Sequence, residues 1–142
     1  MHTIGRVKRV EDSKWDFQPE GFNNNIRWQA GHIFVTMEKF VQQSLPSYEV
    51  VNPEWMSLFD DGSNPEQWEA GVPKGEELLT ALREQLEWII PFLEGALDEK
   101  MAEPLIIGNN IMTIDSIDGI IQFLAWHEGT HSGVIDALNR LT

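Results

Sequence analysis

The sequence predicts an all-α protein: an antiparallel four-helix bundle with a long connection between helices 2 and 3 and a shortened first helix. Three observations carry that prediction. Apolar residues recur at steps of three and four over 26–45, 76–97 and 117–141, the spacing that gathers them on one side of a helix. The segment 46–75 is rich in Pro, Gly, Asn and Asp and interrupts the pattern between the second and third helices. No alternation of apolar and polar residues is sustained along the chain, which leaves helix-on-helix packing as the way to bury the stripes. With 142 residues, the chain is expected to form one domain, residues 1–142, around a single core.

The elements follow in order. Ile4, Val7 and Val10 stand three apart, with Trp15 and Phe17 beyond them, and predict a short first helix running into an extended turn. Pro19-Glu20-Gly21 ends it, and the asparagines of Phe22-Asn23-Asn24-Asn25 offer a cap for the next helix. Ile26, Ala30, Ile33, Met37 and Phe40 then mark a helix of about five turns that should stop near Leu45-Pro46. In the long connection, the segments beginning at Pro53 and Pro65 each read as a single helical turn with Pro near its start. Tyr48, Trp55, Phe59 and Trp68 are expected to pin this connection to the bundle or to line the mouth of a pocket.

The third helix is predicted from Glu76 to about Leu97, with Leu78, Leu82, Leu86 or Gln85, Ile89, Leu93 and Ala96 inward. Glu76 and Glu77 complement its dipole, and Pro91 should kink it without ending it. After Pro104 and Gly108-Asn109-Asn110, Thr113 is the expected cap of a final helix reaching nearly the last residue, with Asp115 and Asp118 in its early turns.

Composition removes several functions. The net charge of −13 works against binding a phosphate backbone, and Arg6, Lys8 and Arg9 read as a solvated face rather than a nucleic-acid patch. No apolar run is long enough to span a bilayer, and Met1 to Val10 does not read as a signal peptide, so a cytoplasmic location is expected. There is no cysteine, so a thiolate ligand, a disulfide and a cysteine nucleophile are all excluded. Any metal must bind through His, Asp or Glu.

The final helix carries the chemistry. Ile117, Ile120, Leu124, His127, His131, Val134 and Leu138 continue one face, so two imidazoles occupy core positions one turn apart. Buried ring nitrogens need partners, and two stacked on one face can share a small divalent ion. A third ligand must come from another helix. His32 lies beside the stripe of the second helix, whereas His2, at the terminus, is a poor candidate. Three imidazoles would bind one divalent ion, Zn, Ni or Fe with Zn or Ni preferred, and leave a position open for water or substrate.

Rival readings exist for the same residues. His127-Glu128-Gly129-Thr130-His131 matches H-E-x-x-H, in which Glu128 would be the general base of a metal-dependent amide hydrolase or protease. Only eleven residues follow His131, and Val134 and Ala137 stand where an extended zinc-protease motif needs Gly and His. A di-iron bundle would use Glu128 and His131 as one Glu-x-x-His unit, but the second unit is missing because Gln29 stands at the matching place before His32. The plainest alternative is that the histidines are buried polar residues satisfied by carbonyls or water.

Three segments together resemble one family. Gly21 to Ile33, containing Gly31-His32-Ile33, Asn64-Pro65-Glu66-Gln67-Trp68, and Phe123 to Gly133 are similar in order and spacing to the DinB-like superfamily of metal-binding four-helix bundles. The resemblance covers about residues 15–141. It implies a three-histidine site carried by His32, His127 and His131, often in a homodimer, with a place in bacterial stress responses. Some relatives are thiol S-transferases that join a small-molecule thiol, such as bacillithiol or mycothiol, to an electrophile, and the same activity is the expectation here. Glu128 would then be a base, a group supporting the ligands, or an exposed residue. A non-catalytic metal-binding bundle is the alternative. The first helix is shorter than the family's usual one.

Overall fold

A computed structural model describes residues 2–141, apart from the side chain of His2. The order is α1 (His2–Val7), α2 (Ile26–Ser44), α3 (Met56–Phe59), α4 (Gly75–Glu94), β1 (Lys100–Ile107), β2 (Met112–Ser116) and α5 (Ile117–Leu141). The expectation of a purely α four-helix bundle is therefore corrected. Among the described residues, five α-helices, two of them very short, accompany a two-stranded antiparallel sheet, and the architecture is mixed.

The hairpin forms where the sequence reading placed only a break. Gly108, Asn109 and Asn110 all adopt positive φ, a conformation that glycine and asparagine reach at least cost, and so reverse the chain. The flanking residues pair Leu105 with Ile114, Ile106 with Thr113 and Ile107 with Met112. An irregularity between Lys100 and Leu105 interrupts the ladder in the stretch that contains Pro104, which has no N–H to donate. Thr113 thus lies in β2 and caps nothing; Ser116, whose Oγ accepts from the Gly119 N–H at 3.1 Å, takes that role for α5.

α2 is the axis. Asn25 caps it by accepting from the Trp28 N–H at 2.9 Å, and Leu45-Pro46 ends it as expected. From Trp28 to Thr36 every residue is buried, because α3, α4, β1 and α5 pack around it. One apolar cluster joins Val7, Trp15, Ile26, Phe34, Phe59, Leu78, Ile135 and Leu138; a second joins Val41, Ile89, Met101, Ile114, Ile120 and Leu124. α1 is held to α5 by Arg6, whose Nη1 donates to Ser132 Oγ at 2.7 Å.

A polar network ties the middle of this core together. Glu38, fully buried, accepts from Tyr48 Oη at 3.0 Å, the Val51 N–H at 2.8 Å and Gln85 Nε2 at 2.7 Å. Trp88 Nε1 donates to Tyr48 Oη at 2.8 Å. Burial, with the Glu38 carboxylate next in effect, raises the Tyr48 pKa well above the ordinary phenol value, so Tyr48 remains a donor. At the inward position of α4 left open between Gln85 and Leu86, it is Gln85 that is buried. α2, α4 and the connection after α2 thus share one carboxylate.

Candidate metal centre

His32 stands in the fully buried part of α2, and His127 and His131 face it from α5, half-buried. Each offers a ring nitrogen, and the three lie within 4.8 Å of one another. His32 Nε2 is 3.1 Å from His127 Nε2, and the His127 and His131 ring centroids are 4.4 Å apart. This is the group of three or more His and acidic residues close enough to hold a metal ion among the described residues. The side chain of His2 falls outside them.

The rings are fixed from behind. His32 Nδ1 lies 2.7 Å from the Phe59 carbonyl oxygen, which can only accept, so the neutral ring carries its proton on Nδ1 and presents a bare Nε2. His131 Nδ1 lies 2.7 Å from Gln29 Oε1, and Gln29 Nε2 donates to Asn24 Oδ1 at 2.8 Å, which turns the amide oxygen toward the histidine. His131 therefore also presents Nε2 as a lone pair. Two lone pairs converging on one point, with His127 Nε2 beside them, suit an electron-pair acceptor such as a divalent cation. Histidines oriented by outer hydrogen bonds are the usual form of imidazole metal ligands. The donor set could hold a metal ion.

Packing sets the positions of these outer partners. Trp28 stacks on His32 with centroids 4.5 Å apart and planes 11° from parallel, and its Nε1 donates to Ser63 Oγ at 2.9 Å. Ser63 Oγ in turn donates to the Asp60 carbonyl at 2.7 Å. Phe59 is fully buried, packed edge-on between Trp55 and Trp68, and lies over Gly31 of α2. The connection after α2 is thus pinned by its aromatics, and its backbone supplies the carbonyl that orients His32. Sequence reading did not find Phe59, Gln29 or Trp28 in these roles. The Gly31-His32 pair was the available signal, since a glycine inside a helix marks a close approach.

Glu128 is placed elsewhere. It shares a narrow cleft with Thr3, Ile33, Met37 and Gln85, and none of the three imidazoles lines that cleft. Trp126 is 65% exposed beside Phe123, whose ring lies 6.1 Å from that of His127.

Burial first, then the neighbouring His131 and His32, lowers the His127 pKa to about 3. Burial and His32 lower that of His131 to about 4, with the Asp61 carboxylate pulling the other way. Both rings are neutral at pH 7, so a cation meets lone pairs rather than protons. The same shifts set a pH dependence for the metal-free protein. Between pH 6.5, the ordinary histidine value, and about 4, the unfolded chain binds protons that folded His127 and His131 refuse. Stability therefore falls as pH falls through that window and is fully retained above it. The urea midpoint of metal-free protein is expected to drop between pH 7.5 and 5.0, and replacing His127 and His131 by glutamine should flatten that drop. An equal drop in the double variant would refute the assignment.

A search of curated proteins finds no match. A family model described as the DinB superfamily matches residues 1–135.

Proposed function

The chain belongs to the DinB superfamily, and from that premise we propose that it is a mononuclear, divalent-metal-dependent enzyme that joins a small-molecule thiol to an electrophile. Family membership is consistent with metal binding, and the three-histidine group could hold the ion. The observation that carries the reading is the convergence of His32, His127 and His131, with two of their tautomers set from behind and a half-buried, solvent-facing side left on α5. Three imidazoles with no fourth buried ligand beside them among the described residues are the donor set of a centre that exchanges ligands.

A bound divalent ion would lower the pKa of a thiol and hold the thiolate. Everything else falls to the chain. Phe59 and Gln29 keep the imidazole lone pairs aimed at one point, and Trp28 covers the buried side of His32 and excludes water there. An apolar groove of about 500 Å³, lined by Ile107, Met112, Ile114, Gln122, Phe123 and Trp126, could take the body of an electrophile. Phe123 links it to His127. Glu128 has no part in this proposal, because it lines a cleft that none of the three imidazoles lines; the amide-hydrolase reading lacks its base for the same reason.

His127→Ala tests the reading. Elemental analysis of the purified variant is expected to show metal content reduced to about a tenth of wild type or less, since removing one of three ligands forfeits much of the affinity. Conjugation of a low-molecular-weight thiol to a chromogenic electrophile should be lost with it. Undiminished metal in His127→Ala would overturn the proposal. Full metal in wild type, with a large loss of melting temperature on chelation but no turnover across thiol and electrophile pairs, would replace the enzyme by a metal-stabilised bundle.

A further inference from the structure

The geometry points to Asp61 as a fourth, exchangeable protein donor of the metal centre, delivered by the loop after α3 to its solvent side. This inference rests on the three-histidine reading above and extends it to a residue that no histidine motif contains.

The carboxylate is already close. Asp61 Oδ1 lies 3.7 Å from His32 Nε2, the atom aimed into the centre. Two donors that each sit about 2.0–2.2 Å from one ion are about 3.0–4.2 Å apart, depending on the angle between them. Both the 3.7 Å separation and the 3.1 Å between His32 Nε2 and His127 Nε2 fall in that range. Asp61 stands outside the set of atoms mutually within 4.8 Å, so it joins the imidazoles when a cation draws it in. Its side chain is 88% exposed, and turning an exposed carboxylate toward a dication costs little.

The backbone that carries Asp61 is held firmly. Phe59 is anchored in the core and gives its carbonyl to His32. The Asp60 carboxylate takes both of its oxygens to Lys39 Nζ, at 2.9 and 2.8 Å, and Oδ1 also accepts the Asp61 N–H at 2.9 Å. Three consecutive residues thus have three tasks: Phe59 orients a ligand, Asp60 fixes the turn, and Asp61 is left free at the mouth. An exposed anionic donor with little else holding it is also one that an incoming thiolate can replace.

The test measures metal binding, not turnover. In competition with a chromophoric chelator, Asp61→Ala is expected to bind Zn(II) at least about tenfold more weakly than wild type. Substitution with Co(II) should give the variant a different visible absorption spectrum, because an oxygen donor has been lost from the ion. Glu128→Gln should match wild type in both measurements. Wild-type affinity together with a wild-type Co(II) spectrum in Asp61→Ala would overturn the inference. If His127→Ala loses metal while Asp61→Ala does not, the three-histidine reading stands and only this extension falls. If wild type binds neither ion, both fall.

Discussion

Replacing Glu38 by alanine is expected to lower the unfolding free energy by about 3–5 kcal/mol, a large part of the total for a domain of this size. The carboxylate is fully buried and has three donors, Tyr48 and Val51 from the connection after α2 and Gln85 from α4. Alanine leaves all three facing a cavity. Each buried donor without an acceptor costs about 1–3 kcal/mol, and relief from no longer desolvating a carboxylate offsets part of the sum. Gln85 keeps its second acceptor, the Phe34 carbonyl at 3.0 Å, so its share is the smallest. Glu38→Gln preserves volume and one carbonyl oxygen but turns an NH₂ toward donors, and a smaller loss of about 1–2 kcal/mol is expected. Urea denaturation of both variants checks the order. A loss below about 1 kcal/mol for Glu38→Ala would show that the network carries no stability.

Gly31→Ala is the second large effect, and it reaches the candidate metal centre through packing. A Cβ at residue 31 would sit less than 3.0 Å from Cγ, Cδ1 and Cε1 of the Phe59 ring. That ring is fully buried with Trp55 and Trp68 against it, so it cannot swing aside. Either α2 or the loop must shift. Overpacking of this kind costs about 1–3 kcal/mol, from which alanine's better helix propensity recovers up to about 1 kcal/mol. The functional cost should be larger, because moving Phe59 takes its carbonyl from His32 Nδ1. Loss of such an outer partner weakens metal binding by about 10–100-fold. Gly31→Ala combined with Phe59→Leu should recover stability relative to Gly31→Ala alone, and this coupling separates the clash from any other effect of the methyl group. Full Zn(II) affinity in Gly31→Ala would sever the proposed link between helix packing and the centre.

The sequence made the three histidines legible because His127 and His131 continue an apolar face and His32 lies beside another. Steps of three and four survive folding. Glu38 was not legible by the same rule. An acid between Met37 and Lys39 looks like the outer side of a two-sided helix, but α2 is packed nearly all round, and the outer side is where α4 and the Tyr48 segment arrive. Amphipathic periodicity assumes that one face meets water, and an axial helix breaks that assumption.

The hairpin was missed for a related reason. Leu105, Ile106 and Ile107 before Gly108-Asn109-Asn110, with Ile111, Met112 and Ile114 after it, formed a usable turn signal flanked by β-formers. Alternation failed because Ile106 is 58% exposed and Met112 48% exposed, so the strands are apolar on both faces. The outer hydrogen bonds of the centre were hidden more deeply, since the group that orients His32 is a backbone carbonyl and any residue could have supplied it.

The parallel stacking of Trp28 on His32 gives the molecule a built-in optical probe. An indole 4.5 Å from an imidazole has its excited state coupled to the charge on that ring. Whatever withdraws electrons from His32, whether a proton or a cation, alters the emission of one tryptophan from van der Waals distance. The occupancy of the centre is thereby written into the intrinsic fluorescence, with no dye attached.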